Sequence, residues 1–230
     1  VTTTNTGVGE FSKLSDAMWS ARDEQDRLQL AVDAAVQLVR GCDHAGFTVN
    51  EVGALVTRVG SDDTVLRANE LQQELGEGPC RDVARDQVTL ICPDLTQERR
   101  YPAWAVRVHA ELGVGSMMSL LVYTARDSFG CLSLYADAGK SFDSDDVVVA
   151  ETLAAHLAIG MRSGREVTQM GQALDSRLTI GRAEGILMER LQMSAEQAFD
   201  YLRRVSSHTN RKLAVIADEI VSTRRLPDIG

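Results

Sequence analysis

The sequence predicts an α+β N-terminal region, a long connecting helix and an all-α C-terminal bundle of three helices. Three observations carry this expectation. Between residues 44 and 136, short apolar runs alternate with turns containing Gly, Pro and Asp, the pattern of an antiparallel sheet flanked by helices. From Asp143 to Leu226, apolar residues recur at helical spacing with no proline among them. Charge is uneven: residues 1–173 hold 15 basic and 25 acidic side chains, net −10, whereas 174–230 hold 9 and 8, net +1.

Residues 1–10 are expected to be disordered, 11–165 to form one domain, and 166–230 a helical linker with a second domain. Phe11 to Arg40 reads as one or two helices, with Leu28, Ala31, Val32, Ala35, Val36 and Val39 on one face and Gly41 as a stop. Strands are expected at 45–50 and 53–59. After the turn Ser61-Asp62-Asp63, Val65 to Ala68 reads as a short third strand. Gly76-Glu77-Gly78-Pro79 is a tight turn leading into a short helix, Cys80–Asp86, with Pro79 near its first turn. A buried strand at Thr89–Cys92, a helix at Tyr101–Leu112 and a hairpin of Ser116–Thr124 with Gly130–Ala136 follow, the hairpin turning near Arg126-Asp127-Ser128.

The next helix runs from Asp143 past Gly164 and Gly171 into Leu174, bent at the glycines. Val167, Met170 and Leu174 fall at near-heptad spacing, which fits a homodimer paired through a parallel coiled coil. Residues 174–226 accommodate three helices. The first ends near Leu191 and buries Leu174, Leu178, Ala183, Ile186 and Leu187. The second starts at Ser194, with Gln197 completing a capping box, and buries Ala195, Ala198, Phe199, Leu202 and Val205. The third follows Asn210 and buries Leu213, Ile216, Ala217, Ile220 and Val221.

What remains for water is Arg177, Arg182, Arg203, Arg204, Arg211, Lys212, Arg224 and Arg225. Ser206, Ser207, His208, Thr209 and Asn210 stand at the second turn. Cations and short hydroxyl or amide groups at a helix corner can take phosphates and hydrogen-bond bases. The same residues also fit solvated helix faces with ordinary caps.

Catalytic and metal chemistry find no support. Gly181-x-x-x-Gly185 lacks the G-K-[ST] of a phosphate loop. No nucleophile elbow or zinc-protease motif occurs, and Glu184 and Glu189 are five apart, off a shared helix face. Gly181, Ala183 and Gly185 instead fit close helix approach. Cys42, Cys80, Cys92 and Cys131 show no ligand spacing and fit a reduced cytoplasmic protein without metal or cofactor. The opening VTTTNTGVGEFSKL lacks the basic and apolar regions of a signal peptide, and no apolar run approaches the ~18 residues of a membrane span.

SRLTIGRAEGILMER, SAEQAFDYLRRVS and NRKLAVIADEIV, in that order and spacing, resemble the ANTAR domain, a three-helix module of bacterial transcription antiterminators. The resemblance implies binding of RNA hairpins with exposed loops, which keeps a terminator from folding. It carries over to Arg177, Arg182, Ala183, Gly185, Ser206, Asn210 and Lys212; Arg203, Arg204, Thr209 and Arg211 complete the expected RNA-binding set. Many members have lysine where this chain has Glu184.

LGEGPCRDVARDQVTLICPDL, YPAWAVRVHAELGVGSMMSLLV and FGCLSLYADAGKSFDSDD make residues 25–165 resemble a GAF domain. That implies a sensor with a pocket for an unidentified small molecule between sheet and helices, lined by Cys80, Asp94, Tyr101, Trp104 and Met117. The expectation is a cytoplasmic, signal-responsive regulator that binds RNA hairpin loops to promote antitermination. The alternative is a protein-interaction regulator gated by the sensor, without RNA binding.

Overall fold

The computed structural model describes residues 4–51, 54–86, 88–125 and 128–226. The chain divides into two compact units, Val1–Gly164 and Arg165–Gly230. The first contains a five-stranded antiparallel sheet of β1 (His44–Glu51), β2 (Ala54–Gly60), β3 (Leu90–Cys92), β4 (Val114–Tyr123) and β5 (Ser128–Asp137), in the order β2-β1-β5-β4-β3. Helices cover both faces. On one lie α1 (Thr4–Ser20), α2 (Glu24–Leu38) and the start of α6 (Ser144–Leu191); on the other, α3 (Asp63–Leu75), α4 (Pro79–Asp86) and α5 (Pro102–Leu112).

Strand pleating explains why the central strands carry apolar residues on both faces. Side chains alternate between faces, so Met118 and Leu134 join the α1–α2–α6 core while their neighbours Met117 and Tyr135 join the α3–α5 core. All four are fully buried. Burying both faces leaves no polar side for the strand to show.

The third strand expected at 65–68 is instead the first turn and a half of α3. Asp62 caps it, accepting the Thr64 N–H at 2.8 Å, so Ser61-Asp62-Asp63 is a helix start rather than a hairpin turn. Its buried face, Val65, Ala68, Asn69, Leu71 and Gln72, has helical period. α1 starts at Thr4, inside the stretch 1–10 expected to be disordered, of which residues 1–3 lie outside the described residues. Leu14 and Met18 anchor that helix in the core, and Phe11 stacks on His156 of α6 with ring centroids 5.6 Å apart. Once a turn is anchored, extending the helix costs little. Gly53, Arg126 and Asp127, which belonged to an expected strand and hairpin turn, lie outside the described residues.

α6 is one helix of 48 residues, continuous through Gly164 and Gly171. The separate first helix expected within 174–226 is therefore its C-terminal end. α7 (Ala195–Thr209) and α8 (Leu213–Thr223) complete the bundle around Ala183, Leu187, Ala198, Leu202, Val205, Ile216, Ala217 and Ile220. Leu174 and Leu178, expected inside, are 60% and 53% exposed, and Ala195 and Phe199 are exposed too. The 11 residues of α8 span only about 16 Å at 1.5 Å per residue, and the buried core starts at Ala183. Among the described residues, no helix is long and apolar enough to cross a membrane.

His44 ties three elements together. Its Nδ1 lies 2.7 Å from Asp62, the cap of α3, and its Nε2 3.1 Å from Asp137, the last residue of β5. Partial burial alone would lower the imidazole pKa; the hydrogen bonds to the two carboxylates outweigh it and raise the pKa above 6.5. The charged form is thus favoured on folding. The stabilisation is complete below about pH 6.5 and is lost as pH rises through the higher folded-state value. Urea unfolding between about pH 6 and 9 is expected to show stability falling across this window, with the fall flattened in His44→Gln. A second expectation concerns the capping box, in which Ser194 Oγ accepts the Gln197 N–H at 3.3 Å and Gln197 Oε1 accepts the Ser194 N–H at 2.9 Å. Ser194→Ala should cost about 1 kcal/mol in denaturant unfolding.

Candidate functional site

The turn between α7 and α8 is built around Ser206. Its carbonyl accepts the N–H groups of Asn210 and Arg211, and its Oγ donates to the Arg211 carbonyl at 2.6 Å. Asn210 adopts the left-handed conformation, φ 51°, which asparagine tolerates better than most residues. Thr209 Oγ1 donates to the Val205 carbonyl at 2.7 Å. The hydroxyl protons of Ser206 and Thr209 therefore brace the backbone, and toward a ligand these groups offer lone pairs.

Lys212 and Arg211, both exposed, leave this turn at the N-terminus of α8. No acidic residue occupies the first turn of α8, so the positive end of the helix dipole adds to the two cations. Arg211 pairs with Glu219 at 2.7 Å, with about half of each side chain exposed; at that exposure the pair holds the guanidinium weakly. Arg203 reaches Asp200 at 3.5 Å. Lys212, Arg204, Arg182 and Arg177 make no ion pair among the described residues.

Arg203, Arg204 and Ser206 line a groove of about 940 Å³ that also touches the α6–α7 turn and the start of α8. Arg182 does not share it. It lines a separate hollow of about 470 Å³ with Gly185, Glu189 and Arg224, between α6 and α8. Arg177 stands exposed on α6, six residues before the first buried core residue of the bundle. Seven of the nine expected RNA-binding residues thus gather around α7 and the α7–α8 turn, and two do not. Ala183 is fully buried and serves the core. Gly181 and Gly185, expected to admit another helix closely, face open space.

In the first unit, Cys80, Tyr101, Trp104 and Met117 do come together, on the α3–α5 face, but as a packed core, none more than 4% exposed. Trp104 Nε1 donates to the Ala68 carbonyl at 3.0 Å, and the Tyr101 hydroxyl to Asp82 at 2.7 Å. Asp94 is exposed and accepts from the N–H and hydroxyl of Thr96; it caps a turn outside that cluster.

A buried polar network threads this face, and sequence reasoning missed it. Asn69 Nδ2 donates to Thr48 and Thr57 at 2.7 and 2.8 Å. Gln72 Nε2 donates to Asn69 Oδ1 at 3.0 Å, and Gln72 Oε1 accepts the Cys80 N–H at 2.9 Å. Cys80 Sγ lies 3.1 Å from Ser133 Oγ, which meets Ser119 Oγ at 3.2 Å. The signal was available: Asn69 and Gln72 sit three apart on the apolar face of α3, visible only once that segment is read as a helix. Burial pushes the Cys42 thiol up to about 12, and those of Cys92 and Cys131 up as well, so all three are neutral thiols at physiological pH. Among the described residues, no group of three His, Cys, Asp or Glu side chains is placed to hold a metal ion.

Residues 21–162 match the family model of the GAF domain, and residues 168–221 that of the ANTAR domain. No curated protein matches the chain. Among solved structures, a bacteriophytochrome from R. palustris is 13% identical with a TM-score of 0.61, covering 89% of this chain and 46% of that one. An N-acylhomoserine lactone dependent LuxR family transcription factor from Burkholderia cenocepacia is 15% identical with a TM-score of 0.53, covering 69% and 94%. The GAF domain of an Acinetobacter phosphoenolpyruvate-protein phosphotransferase is 13% identical with a TM-score of 0.51, covering 72% and 99%. At these identities the likeness is one of fold. With most of its length matched by the GAF model and the helices after it by the ANTAR model, the chain belongs to the GAF domain family and has a GAF–ANTAR architecture.

Proposed function

We propose that this chain is a cytoplasmic regulator whose ANTAR helices bind the unpaired loops of RNA hairpins and so promote transcription antitermination, under control of the GAF unit. An ANTAR domain implies an RNA-binding antitermination regulator, and a GAF domain a sensor. The observation that carries the finer reading is the α7–α8 turn. There Arg211 and Lys212 stand exposed at a helix N-terminus beside Asn210, on a backbone braced by Ser206. Hairpin loops suit such a turn because their bases are unstacked and their edges open. A loop held by protein cannot pair into a terminator.

A net charge of +1 over 174–230 gives one module little purchase on RNA. Two modules acting together would multiply it. α6 offers the means: Val167, Met170, Leu174 and Leu178 are 64%, 72%, 60% and 53% exposed, spaced three, four and four apart along one helix face. We assign this stripe to a second copy of the chain. The GAF unit then acts on α6, which leaves it at Gly164. The α3–α5 face, filled by Cys80, Trp104 and Met117, would admit a small molecule only by opening, and that opening is the step we assign to the signal.

Two outcomes are expected. Arg211→Glu with Lys212→Glu should weaken hairpin binding at least tenfold in a gel-shift titration with the circular dichroism spectrum unchanged. The slope of log affinity against log salt should fall by ~0.7 for each phosphate that the variant no longer neutralises. Unchanged affinity would refute the assignment of the turn. Met170→Glu with Leu174→Glu should turn a sedimenting dimer into a monomer and weaken binding to paired hairpins more than to single ones.

A further inference from the structure

We infer that the groove along α7 is a base-binding subsite: it takes an unpaired base of the RNA loop onto an apolar floor, with the attached phosphate held at its cationic rim. This rests on the RNA-binding reading above and adds the place where the bases go. The groove, about 940 Å³, has a volume within the ~300–1,000 Å³ of small-molecule sites, and it is open to solvent along its length, as a site for a strand must be. Met193 and Leu213, both half-buried, give an apolar surface. Arg203 and Arg204 stand at the rim, exposed. Gln192, Asp200, Gln197 and Ser207 line it as well, the Asp200 carboxylate beside Arg203. Ser207 is exposed, and Gln197 uses its Oε1 for the Ser194 N–H, leaving its NH₂ without a protein partner among the described residues.

Each part answers a part of a nucleotide. The flat face of a base is apolar enough to lie on Met193 and Leu213, and guanidinium planes stack on bases. The Gln197 NH₂ and the Ser207 hydroxyl can meet acceptors and donors on a base edge. Arg204 is free of ion pairs among the described residues, and the Arg203–Asp200 pair at 3.5 Å is exposed on both sides, so a phosphate can draw Arg203 away at little cost. The groove is continuous with the turn, since Ser206 belongs to both. A strand whose phosphates rest on Arg211 and Lys212 would therefore reach the groove with its next bases.

The test uses the full chain and a hairpin carrying 2-aminopurine at successive loop positions. Wild-type protein should change the emission at one or two of them. Ser207→Trp fills the groove from an exposed helix position without altering charge. It should lower hairpin affinity at least tenfold and abolish the emission change, with the salt slope retained. Arg204→Met should instead reduce the salt slope by ~0.7. Thermal unfolding of both variants shows that they fold. If Ser207→Trp binds with wild-type affinity and emission, the groove is not the subsite, while hairpin binding by the turn stands. If the wild type does not distinguish the hairpin from a loop-scrambled RNA, the RNA reading fails and the subsite with it, as a surface for a protein partner would require.

Discussion

The candidate interface depends on one residue's bonds. Ser206 accepts two backbone N–H groups through its carbonyl and returns a hydroxyl hydrogen bond to the Arg211 carbonyl. Those three bonds turn the chain through the left-handed Asn210, and α8 starts three residues later. Without them, Arg211 and Lys212 would sit on a loop and pay the entropy of ordering on each encounter with RNA. With them, two cations are held at a helix N-terminus before a ligand arrives, and pre-organisation of this kind lowers the cost of binding. The capping box at the other end of α7 does the same for the start of that helix, so the groove between is framed by fixed ends.

The GAF unit shows the opposite balance, with polarity turned inward. Asn69, Gln72, Cys80, Ser119 and Ser133 are all buried on the α3–α5 face, and each has a partner there. Among the described residues no buried side-chain nitrogen or oxygen lacks one. A buried polar group left unpaired costs about 1–3 kcal/mol, so α3 and α4 have few alternative seats on the sheet that keep every bond. Any signal received on this face must exchange these bonds for equivalent ones. A ligand that offers amide- or hydroxyl-like groups could do so; a purely apolar one would leave Asn69 and Gln72 unsatisfied.

Much of this was legible in the residues. The β4–β5 hairpin, α5 and the cap at Ser194 followed from period, Gly and Pro punctuation and capping chemistry, all local properties. α3 was not, because Val65 to Ala68 is too short a window to separate a strand from the first turn of a helix; only the buried Leu71 and Gln72 beyond it settle the period. Leu174 and Leu178 show a different limit. Periodicity says which residues share a face, never what covers it, and among the described residues nothing covers that stretch of α6. Arg182 and Arg177 are exposed cations of the same module as the turn, and exposure carries no information on which side of a bundle a residue stands. Ser206 and Thr209 read as ligand donors from their type, while their protons serve carbonyls that only the folded backbone brings within reach.

The most direct measurement is photo-crosslinking of the full chain to a hairpin with 4-thiouridine in its loop, with the adducts mapped by mass spectrometry. The account predicts adducts within 203–213, at the end of α7 and the turn into α8. Adducts confined to the hollow around Arg182 and Arg224, or to the GAF unit, would contradict it.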